Sequence, residues 1–117
     1  MKLFVSVLLT LILEPVVGAS QADIKANDLI AKNYLSGCVR MLEATLAVDP
    51  KAKLERFGGK NCADAPVPKD FKLAPNPKIA RSSIVVDLKK GSYQITVWTK
   101  LGHVWRMDSD LQVKRLK

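Results

Sequence analysis

The sequence contains few of the side chains on which most enzyme chemistry depends. It has one histidine, His103, and three glutamates, Glu14, Glu43 and Glu55, which are widely separated, so no pair is placed to divide the roles of general acid and base. The eight aspartates are scattered, and neither a D-x-D-x-D-G calcium loop nor a glycine-rich phosphate loop is present. A lone histidine beside Val104 is typical of a surface strand position, since nucleophilic catalysis needs a base next to the nucleophile. We therefore expect no enzymatic activity, no cofactor, no metal and no small-molecule substrate.

Long hydrophobic runs are also lacking. The most apolar stretch, Leu3 to Leu13, is shorter than the roughly 20 residues that a membrane-spanning helix needs. Glu14-Pro15 breaks the run, which also disfavours the alternative of a buried N-terminal helix, and small side chains lead up to Ala19. This pattern predicts a secretion signal, residues 1–19, cleaved after Ala19. Residues 20–117 then form a single exported domain without a permanent membrane span.

Only two cysteines occur, Cys38 and Cys62. An even number in an exported chain favours a disulfide, and here one pairing is possible. A metal pair or a redox motif is the alternative, but the spacing is long, one histidine is available and no C-x-x-C is present. A domain of this size buries a modest core, so a bridge stabilising it by about 3 kcal/mol would matter.

Lysine and arginine outnumber the acidic residues by 19 to 11, and the formal net charge is +8. Such a balance attracts anionic surfaces, whether nucleic acid, lipid headgroups or acidic proteins. The lysines, however, are scattered, and no dense basic run is interleaved with aromatic residues. Solvated surfaces account for most of the charge, and weak contact with anionic surfaces or DNA is the functional alternative.

The segment from Asp23 to Val48 has the period of an amphipathic helix. Asp28 and Lys32 are spaced as an i,i+4 acid–base pair on it. Asp49-Pro50 ends the helix, because the residue before a proline is disfavoured in the α region. The predicted apolar stripe comprises Ile24, Ala31, Tyr34, Leu35, Cys38, Met41, Leu42 and Leu46. Cys38 lies in the middle of this stripe, so Cys62 must reach across the edge of the core.

After the helix comes a long proline-rich segment, residues 51–81, which we expect to be irregular and tethered by Cys62.

From Ser83 the period becomes two, and turns at Lys89-Lys90-Gly91, Leu101-Gly102 and residues 108–110 separate four short strands. The predicted fold class is α+β: one N-terminal amphipathic helix packed on a four-stranded antiparallel β-meander, with a long disulfide-tethered loop between them.

Trp98 stands out in the second strand. It alternates with Tyr93, Ile95 and Val97, so it faces away from the helix if those residues face the helix. An exposed aromatic side chain on a polar strand face is a candidate interface anchor. The alternative is ordinary sheet stabilisation, with Trp98 paired across the hairpin with Trp105 or Arg106.

This layout resembles the globular half of a bacterial type IV pilin. The resemblance is carried by the helix ANDLIAKNYLSGCVRMLEATLAVDP, the irregular loop, and the meander SIVVDL-KKGS-YQITVWTK-LG-HVWRMDSD-LQVKRL. The sequence differs from pilins at the N-terminus, where those proteins have a short basic leader followed by a membrane-spanning stalk helix. It is similar to the separately secreted globular subunit of a split pilin, also described as a short pilin chaperone.

The resemblance implies a structural subunit or chaperone that is exported to the periplasm, docks on a short helical pilin subunit, and ends in a filament at the cell surface. The expected partner interface is the start of the helix at Ile24, Leu29 and Ile30, together with Trp98. The rival functions are a free periplasmic binding or inhibitor module, which would use the proline-rich loop and Trp98, and a DNA-binding accessory of a DNA-uptake pilus.

Overall fold

The computed structural model describes residues 21–49 and 51–117. The predicted secretion signal with its cleavage site, and Pro50, lie outside the described residues. One helix, α1 (Gln21–Val48), packs on a four-stranded antiparallel sheet. The strands are β1 (Ile79–Asp87), β2 (Ser92–Thr99), β3 (Val104–Asp108) and β4 (Val113–Arg115). In sequence, two 3-10 turns, Leu54–Phe57 and Lys69–Phe71, come between the helix and the first strand. The predicted α+β fold is confirmed.

The sheet is the predicted meander, in which strands adjacent in sequence are adjacent in space. Gly91 and Gly102 adopt positive φ angles of 64° and 89° at the two predicted turns, a conformation that glycine tolerates without strain. The first strand begins at Ile79 rather than Ser83, because Ile79 pairs with Thr99 across an irregularity that interrupts the alternating pattern.

The last strand is shorter than predicted. We expected it to begin at Leu111, but that residue closes a turn, and its N–H donates to the Asp108 carbonyl at 2.8 Å. The φ angle of Leu111 is 65°, in the left-handed region, so the residue cannot continue a strand. Strand pairing therefore starts at Val113, opposite Met107.

The core lies between α1 and one face of the sheet. Tyr93, Ile95 and Val97 of β2 are buried on that face, as the alternation predicts. From the helix, the buried side chains are Asn27, Ala31, Tyr34, Leu35, Cys38, Val39, Met41, Leu42 and Thr45. The helix phase is therefore as predicted, although Ile24 and Leu46 are only partly buried.

One detail of the strand pattern is wrong. The alternation of Ile84 and Val86 predicts that Leu88 continues the same face, but Leu88 lies beyond the end of β1 and is 61% exposed. Glu43 is exposed on the helix, and it accepts a hydrogen bond of 2.5 Å from the Tyr93 hydroxyl. Burial of this tyrosine, followed by its hydrogen bond with Glu43, raises the pKa of Tyr93. The pair gives helix and sheet a polar contact besides the apolar core.

A disulfide links Cys38 of α1 to Cys62 of the loop, with a Cα–Cα distance of 5.6 Å. Both cysteines are almost completely buried. Just before Cys62, the loop backbone pairs with the outer edge of β1: the Gly59 N–H donates to the Ile84 carbonyl and the Ile84 N–H donates to the Lys60 carbonyl, both at 2.9 Å. The loop is therefore an ordered part of the domain, as its apolar content indicates.

Within the described ranges, no helix is long and apolar enough to span a membrane.

Candidate docking groove at the start of the helix

A groove of about 620 Å³ runs beside the first turns of α1. One wall is the helix, at Asp23, Ala26, Asn27 and Ile30, which helical spacing places on one face. The facing wall consists of Pro77 and Lys78, which lead into β1, and of Lys100 and Leu101, which form the turn between β2 and β3. The groove therefore lies at the end of the molecule where the helix begins.

The facing wall is held together by backbone pairing. The N–H of Lys100 donates to the carbonyl of Lys78 at 3.0 Å, so the turn and the approach to β1 are tied to each other. Both lysine side chains are exposed, while Leu101, 45% exposed, adds an apolar surface. The groove thus combines the apolar side chains of Ile30, Pro77 and Leu101 with the charged side chains of Asp23, Lys78 and Lys100. It suits an apolar segment that carries acidic or polar groups at its edge.

The helical wall has a polar atom without a partner. Asn27 is only 6% exposed, and its Oδ1 is buried with no hydrogen bond among the described residues. Native proteins satisfy most buried polar groups, so this oxygen is an exception on the wall of the groove.

Of the four predicted interface residues, only Ile30 lines the groove. Ile24 is half-buried in the same helical turns, and Leu29, 59% exposed, lies on the exposed flank of the helix next to Ile30. Trp98 is not part of this surface. It lies on the opposite face of the sheet, so the predicted interface residues divide into two separate surfaces.

The helix is fixed to the sheet close to the groove by a cluster of four side chains, here called the Asp28 cluster: Asp28, His103, Trp105 and Arg115. One Asp28 oxygen, Oδ1, lies 2.8 Å from His103 Nδ1 and accepts a hydrogen bond of 3.2 Å from Trp105 Nε1. The other oxygen, Oδ2, is 3.5 Å from Arg115 Nη1. The cluster joins α1 to β3, to β4 and to the residue preceding β3.

Two opposing effects act on the pKa of Asp28. Burial alone would raise this pKa, but hydrogen bonds with His103 and Trp105, together with electrostatic interactions with His103 and Arg115, outweigh the burial and lower it. The carboxylate is therefore held in its charged form.

The Asp28 cluster corrects two sequence predictions. Asp28 does not pair with Lys32, whose Nζ instead lies over the Trp105 ring, 4.9 Å from its centroid. His103 is not a solvated surface residue, because its side chain is only 21% exposed and is held by Asp28. The indole N–H of a tryptophan on the buried face of β3 requires an acceptor, and this requirement is the signal that could have indicated the cluster.

An aspartate–histidine pair also occurs in catalytic triads, where the histidine activates a hydroxyl or thiol. Within the described part of the chain, the imidazole ring of His103 makes no hydrogen bond to serine, threonine or cysteine; Thr99 Oγ1 instead accepts a hydrogen bond from the His103 backbone N–H at 3.1 Å. Nor do residues 21–49 and 51–117 contain a group of three side chains suited to hold a metal ion. The Asp28–His103 contact attaches the helix to the residue that precedes β3.

Trp98 lies on the face of the sheet that the helix does not cover. Its register partners are Arg81 on β1 and Val104 on β3. The predicted alternative, pairing with Trp105 or Arg106, is wrong, because those residues lie opposite Val97 and Thr96.

No known protein family, no curated protein and no solved structure matches this chain. Functional inference therefore depends on the layout of the fold and on the surfaces described above.

Proposed function

We propose that this protein is a non-enzymatic structural subunit or chaperone of a type IV pilus-like filament, and that it docks on a short helical pilin partner. The observation that supports the proposal is the groove beside the first turns of α1, lined by Ile30 and Leu101, with the exposed Leu29 on the neighbouring helical surface. In a pilin, the stalk helix and the globular head belong to one chain. A separate head needs a surface that receives a separate stalk.

The groove has the chemistry that such a partner requires. Its apolar walls offer burial to the side chains of a helical partner, which is the main source of association free energy. Lys78 and Lys100 at the rim add electrostatic selection for a partner with acidic residues next to its apolar ones. The Asp28 cluster holds α1 in place nearby, so the groove is formed before the partner arrives.

The proposed location follows from the same reasoning. A disulfide whose two sulfur atoms are buried is compatible with an exported protein, because disulfides persist in oxidising compartments. In this proposal, the domain folds in the periplasm, binds its helical partner there, and becomes part of a filament at the cell surface.

The proposal is tested by placing charges on the docking surface. We expect Leu29→Glu combined with Ile30→Lys to abolish binding of a co-expressed short pilin subunit and incorporation into filaments, because both substitutions put charge on a surface that must lose water. The unfolding midpoint should change little, since Leu29 is exposed and the first turns of a helix contribute few core contacts. Gel filtration and pull-down measure binding, and thermal melting measures stability.

A matched control uses two apolar residues that are as exposed as Leu29 but lie far from the groove. Val48, at the other end of α1, is 59% exposed, and Leu88, beyond the end of β1, is 61% exposed. Val48→Glu combined with Leu88→Lys should leave binding intact. If the Leu29/Ile30 variant melts normally and still assembles, the docking proposal is wrong and the free binding module becomes the better hypothesis.

A further inference from the structure

The sheet has a second face, which the described part of the chain leaves open. Alternation along β1 and β2 places Arg81, Val85 and Gln94 on this outer face, and all three are exposed. Lys114 of β4 lies on the same face, opposite Arg106 of β3. An antiparallel sheet with one covered face and one open face offers the open face for binding.

The most ordered feature of the outer face is a stack of arginine on tryptophan. The guanidinium carbon of Arg81 lies 3.8 Å from the centroid of the Trp98 ring. Arg81 has no salt bridge in the part of the chain that the structure describes. A guanidinium that is exposed and lies over an aromatic ring in this way presents a planar cation on which a further planar group can stack.

Further positive charge surrounds the stack. Arg106 lies one strand beyond Trp98 and has no salt bridge among the described residues, and its Nε is buried without a hydrogen-bond partner. Lys114 continues the line to β4. The acidic residues of this face, Asp87 and Asp108, lie toward the other end of the strands, where their register partners are Ser92 and Gln94. One end of the outer face is therefore basic and aromatic.

We infer that this end of the outer face binds single-stranded nucleic acid. A nucleobase stacks on the Arg81–Trp98 pair, and the phosphates that flank it contact Arg106 and Lys114. Single strands fit this surface better than duplex DNA or an acidic peptide, because a duplex has no free base faces and a peptide of acidic residues supplies charge but no planar rings. The site is distinct from the docking groove, so it stands or falls independently of the proposed partner.

The test measures the fluorescence anisotropy of a labelled 12-residue oligothymidylate bound to the secreted, disulfide-bonded protein at 50 and 200 mM NaCl. We expect binding that weakens as salt increases. Trp98→Ala and Arg81→Ala should each weaken binding about tenfold, within the range reported for loss of base stacking. Trp98→Phe, which keeps a ring, should retain most of the affinity. The matched control is Arg40→Ala, which removes the same charge from the exposed side of α1 and should have little effect.

Three results would overturn the inference. The first is no binding of the oligothymidylate at 50 mM NaCl. The second is an equal loss of affinity for Arg40→Ala and Arg81→Ala, which would show that net charge alone attracts the strand. The third is equal or tighter binding of a 12-residue polyglutamate peptide or of duplex DNA, which would assign the face to a different ligand. If Trp98→Ala lowers the melting temperature, Arg81→Ala, at an exposed position, still gives the answer.

Discussion

Asp28 is the residue on which most of the polar contact between helix and sheet depends. Its two carboxylate oxygens reach His103 and Trp105, at the start of β3, and Arg115, at the end of β4. Because its neighbours lower its pKa, the folded state binds a proton on this carboxyl less readily than the unfolded state does. The contribution of Asp28 to stability is therefore complete above its ordinary pKa of 3.8 and is lost as the pH falls through the lower pKa of the folded state.

Asp28→Asn should remove this acid-dependent stability. We expect the variant to be less stable than the wild type at neutral pH, and the difference to shrink as the pH falls below about 4. Urea unfolding between pH 2.5 and pH 7 measures the effect. Asp70→Asn, at an exposed position in a 3-10 turn, is the control and should keep the wild-type profile. A constant difference at every pH would show that the carboxylate charge is not what Asp28 contributes.

The core gives a second prediction for single residues. Leu42 and Ile95 are fully buried in the same hydrophobic cluster, one on the helix and one on the sheet. Truncating either to alanine should lower the free energy of unfolding by about 2–5 kcal/mol, because a cavity remains. Arg40→Ala, at an exposed position, should change it by less than about 0.5 kcal/mol. Equal losses at all three positions in denaturant unfolding would contradict the observed helix phase.

Lys32 differs from Arg40, although both are exposed on the helix. Its ammonium group lies over the Trp105 ring, and such a contact contributes about 0.5–1 kcal/mol at exposed sites.

The sequence identified the inward residues of β2 correctly because a strand alternates its faces every residue. It could not show that Asp28 meets His103 and Trp105, since that contact depends on how α1 is rotated and placed over strands some 75 residues later.

Among the structural elements, the loop between α1 and β1 is tethered to the helix by a disulfide. Cys62→Ser should lower the free energy of unfolding by about 2–4 kcal/mol, because the bridge restricts the unfolded chain over a separation of 24 residues. Denaturant unfolding of oxidised, reduced and mutant protein measures the loss. Since both sulfur atoms are buried, thiol reagents should label the native secreted protein only after denaturation with reductant. Ready labelling of the native protein would contradict the bridge.

The ends of the elements were predicted less well than the elements themselves. The helix end at Val48 follows from Asp49-Pro50, a local signal that needs no tertiary information. The start of β1 at Ile79 has no such local signal, because the strand continues through an irregularity opposite Trp98 and Thr99 that alternation cannot indicate. The positive φ of Leu111 is likewise imposed by the turn and not by the residue type.

For the whole molecule, the sequence predicts a mature chain that begins at Ser20. The secreted protein should have the intact mass of residues 20–117, because the small side chains up to Ala19 fit the signal peptidase site. Mass spectrometry of culture or periplasmic fractions measures the result. Ala19→Arg should block processing and leave the precursor, whereas Gln21→Arg should not. A secreted wild-type protein that retains its first residues would contradict the prediction.

Fold class could be predicted for the whole chain because periodicity and turn residues act locally. The candidate surfaces could be predicted only in part. Leu29 and Ile30 stood out as apolar residues at the margin of the helical stripe, whereas the second wall of the groove comes from Lys78 and Lys100, which meet only in three dimensions. Trp98 was singled out correctly as lying on the outer face, but its partner Arg81 was missed, since β1 was expected to start after it.

The pairing of Gly59 and Lys60 with Ile84 affects how copies of this domain can associate. It occupies backbone groups in the middle of β1, on the edge of the sheet where a strand from another molecule would add. The Cys38–Cys62 bridge follows two residues after Lys60 and keeps that segment in place. At the opposite edge, β4 is three residues long and gives a foreign strand little to pair with. Addition of a foreign strand is therefore disfavoured at both edges of this sheet, and association between copies through side-chain surfaces is favoured.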